Sequence, residues 1–167
     1  MTFNPWPIRD VGDGNTGWIQ GRIVGDGPLV APASQRPCHY YHLVVDDHGE
    51  ERRAADELMI EDDTGHAVIV LAGALMQLDY DHEDHAPLGR YARRGFDTSA
   101  EPYRPRRREA ILGPGELIAV YGTCVWERDP NPTRYGLYRD LLPQRLRVTR
   151  TAQVRHWITE DVPERGR

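Results

Sequence analysis

Three stretches of this chain carry apolar residues at strand spacing, and each is bounded by glycine or proline. They are Pro37 to Val45, Leu58 to Val70 around Asp62-Asp63-Thr64-Gly65, and Glu109 to Gly122 around Gly113-Pro114-Gly115. No stretch shows the i, i+3, i+4 pattern of a long amphipathic helix. Trp18 to Val24 alternates as an earlier strand, with Gly21 inside it marking a bulge or a tight barrel bend. Arg145 to Thr149 alternates as a last strand. The pattern predicts an all-β fold: a small OB-like β-barrel of five to six strands with a long polar insert.

The 167 residues suit one domain with a real core. Breaker-rich residues 1–16 read as a flexible N-terminal arm, 17–150 as the barrel with its insert at 79–108, and 151–167 as a C-terminal tail. Along the second strand Cys38, Tyr40, His42 and Val44 are expected on one face. Residues 46–57, acidic and polar, read as a loop or a frayed hairpin end. Residues 72–78 read as a helical turn or two. Trp18 and Trp126 are assigned to the core, and Trp6 and Trp157 to arms that dock back on it.

The net charge of −5 rules out a surface that is basic all over. No apolar run is long enough to span a bilayer, and residues 1–18 lack the apolar region of a secretory signal. A cytoplasmic location is expected. All 21 basic residues are arginine, the side chain suited to bidentate contacts. Cys38 and Cys124 sit in apolar strand patterns. They fit buried free thiols in a reducing compartment, with a single disulfide the alternative in an oxidising one.

Gly21-Arg22-Ile23-Val24, Leu29-Val30-Ala31-Pro32 and Pro37-Cys38-His39-Tyr40-Tyr41 together resemble the opening of the GIDE domain, also called the BAM (beside-a-membrane) domain. Phrases similar to Ile60-Glu61-Asp62-Asp63-Thr64-Gly65 and Gly115-Glu116-Leu117-Ile118-Ala119-Val120-Tyr121-Gly122 follow in that family in the same order. The resemblance covers residues 18–125. It implies a β-rich, OB-like module that recognises a partner. In the family's best-known member, a mitochondrial membrane ubiquitin ligase, a separate RING finger does the ligase work. The present sequence lacks RING zinc ligands, so ligase activity is not carried over.

The insert holds the candidate site. Arg90, Arg93, Arg94, Arg104, Arg106, Arg107 and Arg108 stand against only Asp97 and Glu101, with Tyr91, Phe96 and Tyr103 between them. Arginine with aromatics suits an acidic protein, a nucleic acid or an anionic lipid surface. The alternative is internal neutralisation, for residues 46–63 hold nine acids against two arginines. A weaker cluster is Asp81, His82 and His85, because histidines three apart on a helix share a face. No catalytic residue, cofactor or firm metal site is assigned. The Asp62-Asp63-Thr64-Gly65 phrase reads as a turn. The leading expectation is a non-enzymatic module that binds a protein partner through the insert. An OB-type single-stranded nucleic-acid binder and a metal-dependent hydrolase using His82 and His85 are the alternatives.

Overall fold

The computed structural model describes residues 3–86, 104–130 and 144–162. Among these the regular elements are thirteen strands and one 3-10 turn at Ile8–Asp10. In chain order the strands are β1 (Thr16–Val24), β2 (Leu29–Val30), β3 (Pro37–Cys38), β4 (Tyr40–Val45), β5 (Gly49–Ala54), β6 (Glu57–Asp62) and β7 (Gly65–Val70). There follow β8 (Leu75–Gln77), β9 (His82–His85), β10 (Arg106–Leu112), β11 (Leu117–Arg128), β12 (Gln144–Thr149) and β13 (Trp157–Thr159). The chain divides into two compact units, not the single domain expected. One is built from Met1–Gly25, Asp56–Leu78 and Pro114–Arg167, the other from Asp26–Ala55 and Asp79–Gly113.

The first unit is the barrel. β1 pairs antiparallel with both β6 and β11, β6 with β7, and β11 with β12. Parallel pairing of β12 with β7 closes the circuit. Counting only barrel strands, the order is first, second, third, fifth, fourth, the connectivity of an OB-type barrel. β13 adds antiparallel to β11, and β8 adds parallel to β13.

Alternation explains the core. Ile19, Ile60, Ile69, Ile118, Val120, Leu146 and Val148 are wholly buried and project inward because successive side chains of a strand point to opposite faces. Each contributes about 1.5–3 kcal/mol by burial. Gly21 is the inward residue where β1 turns from β11 to β6. A Cβ there would lie 2.6 Å from the Glu61 carbonyl oxygen, so only glycine lets the two backbones approach this closely.

The tight β6–β7 turn is held by Asp62. Its Oδ1 accepts bonds from the Thr64 amide (2.7 Å), the Thr64 hydroxyl (2.6 Å) and the Gly65 amide (2.9 Å). Its Oδ2 accepts from the Ile8 amide at 2.9 Å. Partial burial pushes this carboxyl up, but the bonds from Thr64, Ile8 and Gly65 outweigh it and leave the group below the usual aspartate range. The same aspartate therefore shapes the turn and ties down the segment read as a flexible arm. That segment lies on the barrel: Ile8 is 0% exposed, and Trp6 bridges to Ile19.

The tail reading is corrected in the same way, because residues 157–159 form β13 and Ile158 is wholly buried. Residues 75–77 form β8, where a helical turn was expected, because Leu75 to Gln77 pair with β13. His156 is also buried, with Nδ1 3.1 Å from the Tyr121 carbonyl. Burial pushes its pKa below the usual imidazole value, against the pull of the Tyr121 and Val70 carbonyls. The unfolded chain thus binds a proton that the folded one refuses. This contribution is complete above the ordinary value of about 6.5 and is lost as pH falls toward the lowered one. The urea midpoint of the wild type should drop between pH 7.5 and 5.5, and His156→Gln should flatten that drop.

The second unit has a four-stranded sheet, ordered β5-β4-β10-β9 and antiparallel throughout, and the β2–β3 pair. β5 occupies the acidic stretch read as a loop. It shows no apolar alternation because most of its residues are exposed. The face expected for β4 is also corrected. His39 and Tyr40 both fall opposite Leu112, His39 through its amide and Tyr40 by register. This extra residue acts as a bulge and shifts the alternation by one. The core face becomes Cys38, then Tyr41, Leu43 and Val45, with Ala31 and Ile111. Glu109 on β10 is 0% exposed. Its carboxyl accepts the Ala33 amide (2.7 Å), the Ser34 amide (3.0 Å) and the Ser34 hydroxyl (2.5 Å).

Candidate functional site

The β9–β10 hairpin carries the candidate site. Six of the residues assigned from the sequence, Arg90, Tyr91, Arg93, Arg94, Phe96 and Tyr103, lie outside the described residues, in the segment that joins the two strands. Arg104 is exposed just before β10. Arg106, Arg107 and Arg108 are in β10 itself, where antiparallel pairing sets them opposite His85, Asp84 and Glu83.

These three arginines are engaged within the second unit. Arg106 pairs with Glu83 at 3.0 Å. Arg107 meets Asp84 with two bonds of 2.7 Å, from Nε and from Nη2, the strong planar geometry of guanidinium and carboxylate. The Arg107 hydrogen bonds, helped by His82, hold the Asp84 carboxyl below the usual range against partial burial. Arg108 lies 3.6 Å from Asp46 and 5.1 Å from the centre of the Tyr80 ring. Internal neutralisation, the alternative raised from the sequence, thus describes Arg106 to Arg108. Of the acids that engage them, Asp46 belongs to the acidic stretch 46–63, while Glu83 and Asp84 belong to the insert. Their role here is to fasten the hairpin.

The metal candidate does not assemble. His82 and His85 are on a strand, not a helix, so residues three apart point to opposite faces. His82 is half-buried beside Asp84 at 3.1 Å, whereas His85 is exposed. Asp81 is paired with Arg36 at 2.8 Å. Among the described residues no group of three or more His, Cys, Asp or Glu side chains is placed to hold a metal ion. Cys38 and Cys124 are buried free thiols. Burial pushes the Cys124 thiol up to about 11, far from the thiolate that nucleophilic chemistry needs.

Sequence reasoning missed a second constellation, on the first unit. Trp18 is not a core residue: it is half-buried on the outer face, 5.3 Å from the Tyr121 ring and 5.5 Å from Phe3. Trp157 is opposite Tyr121 on that face. Trp126 is also only half-buried, and its indole N–H donates to the Val11 carbonyl at 2.7 Å. The strand register that lines up these aromatics joins residues far apart in the chain, Trp18 with Tyr121 and Tyr121 with Trp157, so no local pattern announces it. Among the described residues no helix is long and apolar enough to cross a membrane. Neither a family model, nor a curated protein, nor a solved structure matches this chain.

Proposed function

We propose that this chain is a non-enzymatic partner-recognition module of the GIDE/BAM type, which binds an acidic protein partner through the β9–β10 hairpin and its connecting segment. The observation that supports this reading most directly is how the hairpin is fastened. Ion pairs from Arg106, Arg107 and Arg108 to Glu83, Asp84 and Asp46 anchor its base. They leave the contact role to Arg90, Arg93, Arg94 and Arg104 with Tyr91, Phe96 and Tyr103. The hairpin forms one side of the four-stranded sheet of the second unit, which gives its connecting segment an ordered base. The module is proposed to work in the cytoplasm, or beside a membrane when another subunit holds it there.

The test separates contact from scaffold. The wild type and an Arg90/Arg93/Arg94→Ala variant are used to capture proteins from source lysate after nuclease treatment. A partner held by the wild type and lost by the variant, with the urea midpoint unchanged, is the expected result. Equal capture by both would remove the connecting segment from the reading. Arg107→Ala, in contrast, should lower the urea midpoint, because it releases a half-buried bidentate pair.

A further inference from the structure

The outer surface of the first unit carries a row of large side chains that the barrel core does not use. Trp18 on β1 is opposite Tyr121 on β11, Tyr121 is opposite Trp157 on β13, and Trp157 is opposite Leu75 on β8. Cross-strand partners share a face, so the four side chains form one line across four strands. Their chain neighbours Ile19, Val120 and Ile158 are wholly buried, which confirms that the row faces away from the core. Trp18, Tyr121 and Trp157 are half-buried, and Leu75 is 43% exposed.

At its Leu75 end the row runs into a cavity of about 580 Å³, lined also by Gly73 and residues 150–156. Two of those residues are Arg150 and Arg155, both exposed. The preceding arginines on β12 are neutralised, Arg145 by Glu127 at 2.8 Å and Arg147 by Glu57 at 3.2 Å. Among the described residues Arg150 and Arg155 have no such ion pair. Gly73 has a φ of +72°, and a Cβ there would lie 2.9 Å from Arg150 Nη1. The guanidinium therefore rests against bare backbone, a position that any other residue at 73 would deny it.

We infer that this track is a binding surface for single-stranded nucleic acid, with bases lying on Trp18, Tyr121 and Trp157 and backbone phosphates held by Arg150 and Arg155. Aromatic faces in series beside unneutralised arginines match a polymer of flat rings and phosphates. Paired bases would not offer their faces, which selects single strands. A bilayer surface would meet the same arginines but offers no flat rings for the aromatics to stack on, and the vesicle assay below separates the two. The inference goes beyond the proposed protein-binding role and does not depend on the hairpin segment.

The test is the fluorescence anisotropy of a labelled oligothymidylate titrated with the full chain. The wild type should bind with marked salt dependence. Arg150→Gln with Arg155→Gln should weaken binding and flatten the log–log salt slope by about 1.4, at about 0.7 for each lost phosphate contact. Trp157→Ala should weaken binding by roughly tenfold, within the range for one stacked base. Leu75→Glu, which alters only an exposed side chain, should do the same by repulsion at the cavity mouth. Arg90/Arg93/Arg94→Ala should bind the oligonucleotide as the wild type does. Absence of wild-type binding at low salt, or equal binding by the arginine pair variant and by Leu75→Glu, would overturn the assignment. So would a parallel assay in which these variants lose sedimentation with phosphatidylserine vesicles but keep the oligonucleotide.

Discussion

Truncation of Glu109 to alanine is expected to destabilise the second unit by about 3 kcal/mol. The change strands three donors at once, the amides of Ala33 and Ser34 and the Ser34 hydroxyl, and each buried donor left without a partner costs about 1–3 kcal/mol. The hydroxyl can rotate away, but the two amides are fixed in the turn. Glu109→Gln should recover only part of the loss, because its NH2 group faces a donor where a second oxygen stood. Ser34→Ala, which removes one bond and strands nothing on the backbone, should cost about 1 kcal/mol. Hydrogen exchange reads the outcome directly. The Ala33 and Ser34 amides should be protected in the wild type and exchange freely in Glu109→Ala. Amides that stay protected in that variant would show that another group accepts them.

Gly21→Ala should cost the barrel about 2–3 kcal/mol. The new methyl would meet Glu61 backbone, its oxygen at 2.6 Å and its carbonyl carbon at 3.0 Å. No rotamer change can relieve a clash with backbone, so β1 and β6 must separate just where β1 is passed from β11 to β6, an overpacking of the costly kind. Gly25→Ala is the control. It has a φ of +85° but open space around it, so it should cost only the left-handed backbone penalty of about 1–2 kcal/mol. Urea unfolding followed by tryptophan emission suits the comparison, for Trp18 is on β1. A Gly21→Ala midpoint equal to that of the wild type would mean that the strands can part at Gly21 without penalty.

The architecture was legible where a strand alternates and a turn punctuates it. The β6–β7 hairpin, the strand that becomes β11 and the strand at residues 145–149 all follow from local pattern. Gly21 also declared itself, since a glycine amid alternating residues points to close backbone approach. Other features were hidden for physical reasons. β5 is an exposed edge strand of charged residues, so nothing distinguishes it from a loop. One extra residue at His39 reverses which side of β4 is buried, and a bulge leaves no mark in composition. The His82–His85 stretch looked helical in spacing only because its strand pairing, to β10, is non-local.

The ion pairing inside the insert was not legible in its composition. Composition identified a basic, aromatic insert, yet it could not show that Arg106, Arg107 and Arg108 fasten the hairpin. That fastening rests on register, which sets Arg107 opposite Asp84. The Trp18–Tyr121–Trp157–Leu75 row was illegible for the same reason. Its members come from four separate strands, and each looks like an ordinary half-buried residue until pairing aligns them.

The parallel contact of β7 with β12 bears on the order in which the molecule can be made. β7 ends at Val70 and its partner begins at Gln144, so during synthesis β7 waits for the long stretch between them. The inserted unit has no such delay, for its last strand ends at Leu112. It can therefore be complete on the ribosome while the barrel that it interrupts is still an open sheet. Until Gln144–Thr149 emerges, β7 and β11 each present an unpaired edge, the kind of surface that invites pairing with another chain. Translation of Gln144–Thr149 closes these two edges, and Trp157–Thr159 follows to pair with the other side of β11 and with β8.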